Sequence, residues 1–319
     1  MSPSAAESSW HNSTNGRILP AVAGLASAVA PALTARLAER LFLTPGRREP
    51  RPAERRVLSQ GYQFRVPFEG GRLAAWSWGD GPTVFLLHGW GGSAARMTAF
   101  VDPLLRAGFS VVAFDGPGHG ESDGRTSSVI QLAAALRAVT EWTAAADSAR
   151  GHTGAIGHSI GGVAIALAGR QGTRFRRVVF VGSPSGLEAP SHEFMARLGL
   201  SAEVGARMQQ NIERRFGMAW RDLAITPAVP DGGVPLLVVH DAGDAAVPVE
   251  ESDRIAAAWP GAERLVTKGL GHHRILFDPE VVARSAAFIS GATAPGTGRR
   301  DPRSPPASAS ARQLAAGRA

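Results

Sequence analysis

The segment Gly157-His158-Ser159-Ile160-Gly161-Gly162 sets one serine among three glycines, directly ahead of the helix-like run 163–170. A serine hydroxyl is a poor nucleophile until a base takes its proton, and the base needs a third group to orient it. Downstream, the chain supplies two residues for each role. Asp241 and Asp244 follow the apolar run 235–240, and His272 and His273 follow the run 263–268. Serine first, acid second and histidine last is the order in which these groups reach successive strand ends of an α/β sheet. Spacing alone leaves both aspartates and both histidines open.

For that chemistry the serine must stand on a sharp strand-to-helix turn. Gly157 and Gly161 leave room where backbone crowds such a turn, and the amide of Ile160, next in the chain, points where an oxyanion would form. The surrounding pattern supplies the elements. Runs 62–68 and 72–78 flank Glu69-Gly70-Gly71 as an opening hairpin. Six more short apolar runs follow, at 83–88, 110–115, 153–157, 177–182, 235–240 and 263–268, alternating with helical patterns such as 127–146 and 161–172. Near-continuous apolar strands separated by helices predict an α/β fold, a mostly parallel central sheet flanked by helices with an antiparallel start.

One interval breaks the rhythm. About fifty residues separate Val181 from Val234, far more than an ordinary connection. Val204, Met208, Ile212 and Phe216 recur there every fourth residue, with Ser201 placed to cap a helix. The interval is read as an inserted helical lid at about 184–230; the alternative is a helix pair covering the sheet. Met195, Leu198, Met208, Phe216 and Trp220 could line a pocket beneath it or pack on the body.

These motifs resemble the α/β-hydrolase family in its serine-nucleophile branch, over essentially all of 57–290. The resemblance implies a nucleophile elbow at Ser159. It assigns the acid to Asp244, the second aspartate of Asp241-Ala242-Gly243-Asp244-Ala245-Ala246-Val247-Pro248, and leaves Asp241 to cap the turn. It assigns the base to His272 in Gly269-Leu270-Gly271-His272, with His273 as a neighbour. It draws the second oxyanion donor from His88-Gly89-Trp90-Gly91-Gly92, at Trp90 with Gly91 as the alternative, beside Ile160. His88, Asp115 and His119 become residues that fix loops. The implied activity is hydrolysis of a carboxylic ester or related acyl compound through an acyl-enzyme. Acyl transfer or C–C bond hydrolysis by the same triad, or non-catalytic binding on this scaffold, are the alternatives. A serine nucleophile disfavours the dehalogenase and epoxide-hydrolase branches, which need a carboxylate.

Composition narrows the rest. Of 319 residues 44% are hydrophobic and 19% charged, as in a globular chain. The absence of cysteine removes disulfides, thiolate metal sites and a cysteine nucleophile. No metal-binding spacing is present and no G-x-G-x-x-G follows the first strand, so no metal and no cofactor are expected. The net charge of +7 sits at the ends: eight Arg against four Glu in 1–56, and five Arg against one Asp in 291–319. With the body near neutral, no nucleic-acid partner is expected, only a small-molecule acyl substrate. Residues 1–16 and 291–319 read as disordered, and 17–56 as an N-terminal helix followed by an Arg/Pro-rich strap. The uncharged run Ile18–Leu33 is shorter than the roughly 20 residues of a spanning helix and contains Pro20 and Pro31, so no stable membrane insertion is expected. With Arg17 before it, the run also fits a secretory signal; the reading taken is a cytoplasmic protein whose oligomeric state carries no sequence signal.

Overall fold

The computed structural model describes residues 23–146, 152–225 and 233–291. The expectations for 1–16, most of 291–319 and the end of the insertion at 226–230 lie outside the described residues.

Eight strands form one sheet: β1 (Tyr62–Phe68), β2 (Gly71–Trp78), β3 (Thr83–Leu87), β4 (Ser110–Phe114), β5 (His152–His158), β6 (Arg177–Val181), β7 (Leu236–Asp241) and β8 (Glu263–Thr267). Their spatial order is β1-β2-β4-β3-β5-β6-β7-β8. β1 pairs antiparallel with β2, and β2 antiparallel with β4; the other ladders are parallel. All eight strands expected from the sequence form. β3, β4 and β7 are buried throughout, the consequence of helices on both faces, and their side chains divide between two apolar clusters.

The helices are α1 (Pro31–Phe42), α2 (Pro52–Leu58), α3 (Val101–Arg106), α4 (Val129–Ala146), α5 (Ile160–Arg170), α6 (Glu188–Leu198), α7 (Ala202–Phe216), α8 (Glu250–Ala258), the single turn α9 (Gly271–Arg274) and α10 (Pro279–Ser290). α4 and α5 pack together on the face whose cluster contains Phe85, Phe114 and Phe180, while α10 covers the opposite face.

The insertion between β6 and β7 folds as α6 and α7. Ser201 Oγ accepts the Val204 amide as the cap, and Val204, Met208 and Ile212 turn into the core. The outer support of α7 is α1. Phe42 at the end of α1 meets Phe194 edge-on at 5.1 Å and lies 6.1 Å from Trp220. Met208 and Trp220 are therefore core residues.

The N-terminal region differs from the simple helix-plus-strap reading. A helical segment at 23–29 breaks at Ala30, and Pro31 opens α1, because proline has no amide to continue the hydrogen-bond ladder but fits a first turn. The strap is irregular only from 44 to 51. Pro52 starts α2, whose Glu54 carboxylate accepts the Arg51 amide at 2.7 Å and faces the buried Arg96 at 3.5 Å. The boundary placed at residue 57 thus falls inside a helix.

Candidate active site

Ser159 occupies the turn between β5 and α5 with φ 53° and ψ −127°, one of two non-glycine residues with positive φ among those described. Such a conformation costs of order 1–3 kcal/mol and persists only where the surroundings impose it. Here they do. The Ser159 amide donates to Val181 O at 2.9 Å, and its carbonyl accepts Ser183 Oγ at 2.8 Å and the Gly162 amide at 3.1 Å. The flanking glycines serve close approach. A Cβ at Gly157 would stand 2.6 Å from Gly161 C and Gly162 N, and one at Gly161 would stand 2.6 Å from Leu87 O. β5, α5 and the end of β3 are compressed around one residue, and the side chain of Ser159 is left at the C-terminal edge of the sheet.

Two strands away, Asp244 follows β7 and His272 lies in α9 after β8. His272 Nδ1 and Asp244 Oδ2 are 2.7 Å apart. Asp244 Oδ1 accepts the amides of Ala246 and Val247 at 2.8 and 2.9 Å. Burial alone would raise the Asp244 pKa, but the hydrogen bond and charge of His272 and these two amides outweigh it and hold the carboxyl below its usual range. Gly182, after β6, bridges the halves: a Cβ there would sit 3.3 Å from His272 Nδ1 and 3.4 Å from Asp244 Oδ2. Asp241 has a different task. Its carboxylate accepts the Gly243 amide, Thr267 Oγ1 and the Leu270 amide, tying the β7 turn to the loop that carries His272.

The loop after β3 turns back at Gly89, whose carbonyl accepts the Gly92 amide at 3.0 Å, with Gly91 at φ 65°. A Cβ at Gly89 would meet Ser159 Cβ at 2.7 Å, so this turn abuts the serine. Trp90, between them, is 37% exposed and meets His119 edge-on at 5.4 Å. His88 Nε2 accepts the Gly116 amide at 2.9 Å; burial drives its pKa down to about 4. Asp115 accepts the amides of Ala94 and Glu121, both at 2.7 Å, yet burial raises it to about 6. Both side chains hold loops together.

Four contributors were not evident in the sequence. His158 donates from Nε2 to the His272 carbonyl at 2.9 Å, and its ring lies 4.7 Å from that of His272. Its position inside the glycine-rich motif was the one available signal. Glu251 in α8 accepts both the amide and the hydroxyl of Ser185 at the root of the insertion. Arg47 donates to the carbonyls of Gly120, Ser122 and Gly124, seating the strap on the loop after β4. His240 Nε2 donates to Val247 O and lies 3.7 Å from Asp244. Ring nitrogens of His158, His272 and His273 gather within 4.8 Å of one another. Within this group His158 Nε2 donates to the His272 carbonyl and His272 Nδ1 meets Asp244. A surface cavity of about 550 Å³, lined by Tyr62, Trp78, Asp80 and Leu105 among others, opens at the far end of the sheet from Ser159.

A family model described as serine aminopeptidase, S33, matches residues 81–226, and one described as TAP-like protein matches residues 222–301. The chain belongs to the α/β-hydrolase family. This hydrolase superposes on the Pyrococcus furiosus esterase structure with a TM-score of 0.59 at 22% identity, over 78% of this chain and 97% of that one. It is 29% identical to an uncharacterized Mycobacterium tuberculosis protein over 244 residues, 73% of this chain and 78% of that protein. It is also 29% identical over 241 residues to the dihydrolipoyllysine-residue acetyltransferase component of the acetoin cleaving system of Pseudomonas putida, covering 64% of this chain and 62% of that protein. As an α/β-hydrolase it is an enzyme of the hydrolase class. No helix among the described residues is long and apolar enough to cross a membrane.

Proposed function

We propose that this α/β-hydrolase cleaves a carboxylic ester or related acyl compound through Ser159, His272 and Asp244. The observation that carries the reading is the strained φ of Ser159 on the β5–α5 turn, at the same sheet edge as a His272–Asp244 pair 2.7 Å apart. Ser159 Oγ attacks the substrate carbonyl while His272 Nε2 takes its proton. Asp244, ionised, holds the Nδ1–H and stabilises the imidazolium that forms. The negative oxygen of the tetrahedral intermediate is met by the amides of Ile160, at the N-terminus of α5, and Trp90. His272 returns the proton to the leaving alcohol. It then takes one from water, which attacks the acyl-enzyme, and the acid departs with Ser159 restored.

The insertion α6–α7, within the catalytic unit 57–290, acts as the lid at about 184–230. Its root is fixed by Ser185 on Glu251, and the substrate is a small acyl compound entering beside it. Acyl transfer by the same triad is the second reading, favoured by the likeness to the acetyltransferase component. Added alcohols or thiols separate the two, since a transferase converts its acyl donor to a new ester where a hydrolase releases the acid. The triad itself is tested with a fluorophosphonate probe and peptide mass analysis. Labelling should fall on Ser159, vanish in His272→Ala and persist in His273→Ala. Unlabelled wild type, or equal loss in both histidine variants, refutes the assignment.

A further inference from the structure

Nine large hydrophobic side chains are exposed among the described residues, and five of them form a single row: Leu25, Val29, Leu33, Leu37 and Leu41, each 50–76% exposed. Scattered exposed apolar residues need no explanation, but a contiguous row does. The row follows every fourth residue along the N-terminal helical segments. The fully buried residues of α1, beneath α7, are the small Thr34, Ala35 and Ala38, with the one large inward side chain, Phe42, at its end. α1 therefore presents its leucines outward and its small side chains inward, the reverse of a helix whose sole task is to fill a core.

The ground beside the row is basic. Arg36 and Arg40 lie on the exposed surface of α1, and Arg36, Arg207 and Arg214 line a groove of about 250 Å³ between α1 and α7, with Gln210 and Asn211. Glu39 pairs with Arg215 and Glu203 with Arg207. That leaves Arg36, Arg40 and Arg214 without an acidic partner among the described residues. Within α1, Leu33 to Leu41 spans about 12 Å at 1.5 Å per residue, too short to cross a hydrocarbon core but suited to lying on one.

We infer that the outer face of the 23–42 region, with the arginine groove beside it, docks this hydrolase on an anionic phospholipid surface. The leucine row would enter the headgroup–acyl boundary, and the arginines would meet lipid phosphates. The inference does not depend on what the triad hydrolyses.

Co-sedimentation of the full-length chain with vesicles of phosphatidylglycerol and phosphatidylcholine, against pure phosphatidylcholine, tests it. Binding is expected to the anionic vesicles and to weaken as salt is raised. L33S/L37S should lower the partition coefficient about tenfold, and each of R36Q and R214Q about fivefold on anionic vesicles alone. All four positions are outside the proposed triad, so hydrolysis of a soluble short-chain ester and the thermal melt should stay at wild-type values. Wild type that fails to sediment with either vesicle overturns the inference, as does equal sedimentation with both. Vesicle-independent dimerisation that L33S/L37S abolishes assigns the row to a second copy of the chain and also overturns it.

Discussion

Lowering the pH from 8 to 5 should remove a large part of this protein's stability, and three buried histidines set the amount. Burial pushes His88 down to about 4, His119 to about 3, and His158 well below the ordinary value of 6.5. Cation formation at His119 would strand a second N–H, since its Nε2 has no partner, and it would face His88 at a ring distance of 4.8 Å. Between its folded and unfolded pKa values each histidine is protonated in the unfolded chain and neutral in the folded one. Stability is therefore full above about 6.5 and falls as the pH drops toward the folded values. Asp115 works the other way. Its folded pKa is raised to about 6, so the folded state holds a proton that the unfolded chain releases, and acid down to about 4 favours folding by that one group. At about 1.36 kcal/mol per proton and pH unit, His88 and His119 together lose about 4 kcal/mol by pH 5, His158 adds to that loss, and Asp115 returns about 1. The net loss is at least about 3 kcal/mol, against a total of about 5–15 for a folded domain. Guanidinium unfolding followed by tryptophan fluorescence at half-unit pH steps measures it. His88→Gln, which keeps an acceptor for the Gly116 amide, should remove about 2 kcal/mol of the loss. A midpoint unchanged between pH 8 and pH 5 would refute the claim that these rings are held neutral.

Ser159→Ala should lower kcat by about 10⁴–10⁶ with little change in melting temperature, read by steady-state assay on an aryl ester. Asp244→Asn should cost about 10⁴ in kcat, because the amide no longer fixes the His272 tautomer; a loss below tenfold would move the acid role elsewhere. Gly157→Ala places a methyl 2.6 Å from backbone atoms of Gly161 and Gly162, and should destabilise by about 1–3 kcal/mol in a denaturant titration. Glu54→Ala leaves the Arg96 guanidinium buried without its carboxylate. It should cost about 3–5 kcal/mol by the same measurement, and a loss below about 1 would show that solvent reaches Arg96.

The eight strands were legible because each is an unbroken apolar run between turn residues, and burial on both faces of a parallel sheet demands that composition. The α7 seam was legible for a similar reason: Val204, Met208 and Ile212 keep helical spacing whatever they pack against, and Ser201 announces the start. The proposed site was legible as motifs at strand ends, because a turn that strains one serine needs glycines around it, and those glycines are written in the chain. The strap was less so. Its prolines and arginines look like linker composition, yet Pro52 opens a helix, and Glu54 and Arg47 find partners that lie 42 and 73 or more residues away in sequence.

By itself the sequence determined the strand count, the α/β class, the order of serine, acid and histidine, and the limitation of basic charge to the ends. These depend on local composition and spacing, which folding does not alter. Only the tertiary structure decided that Asp241 braces a loop while Asp244 meets His272, that His158 supports the His272 backbone, and that Met208 and Trp220 belong to the core. Likewise only α7 determined which face of α1 was covered, leaving a row of leucines outside. Each of these turns on which of several chemically similar groups comes within hydrogen-bond or van der Waals reach, and that is set by strands distant in sequence lying side by side.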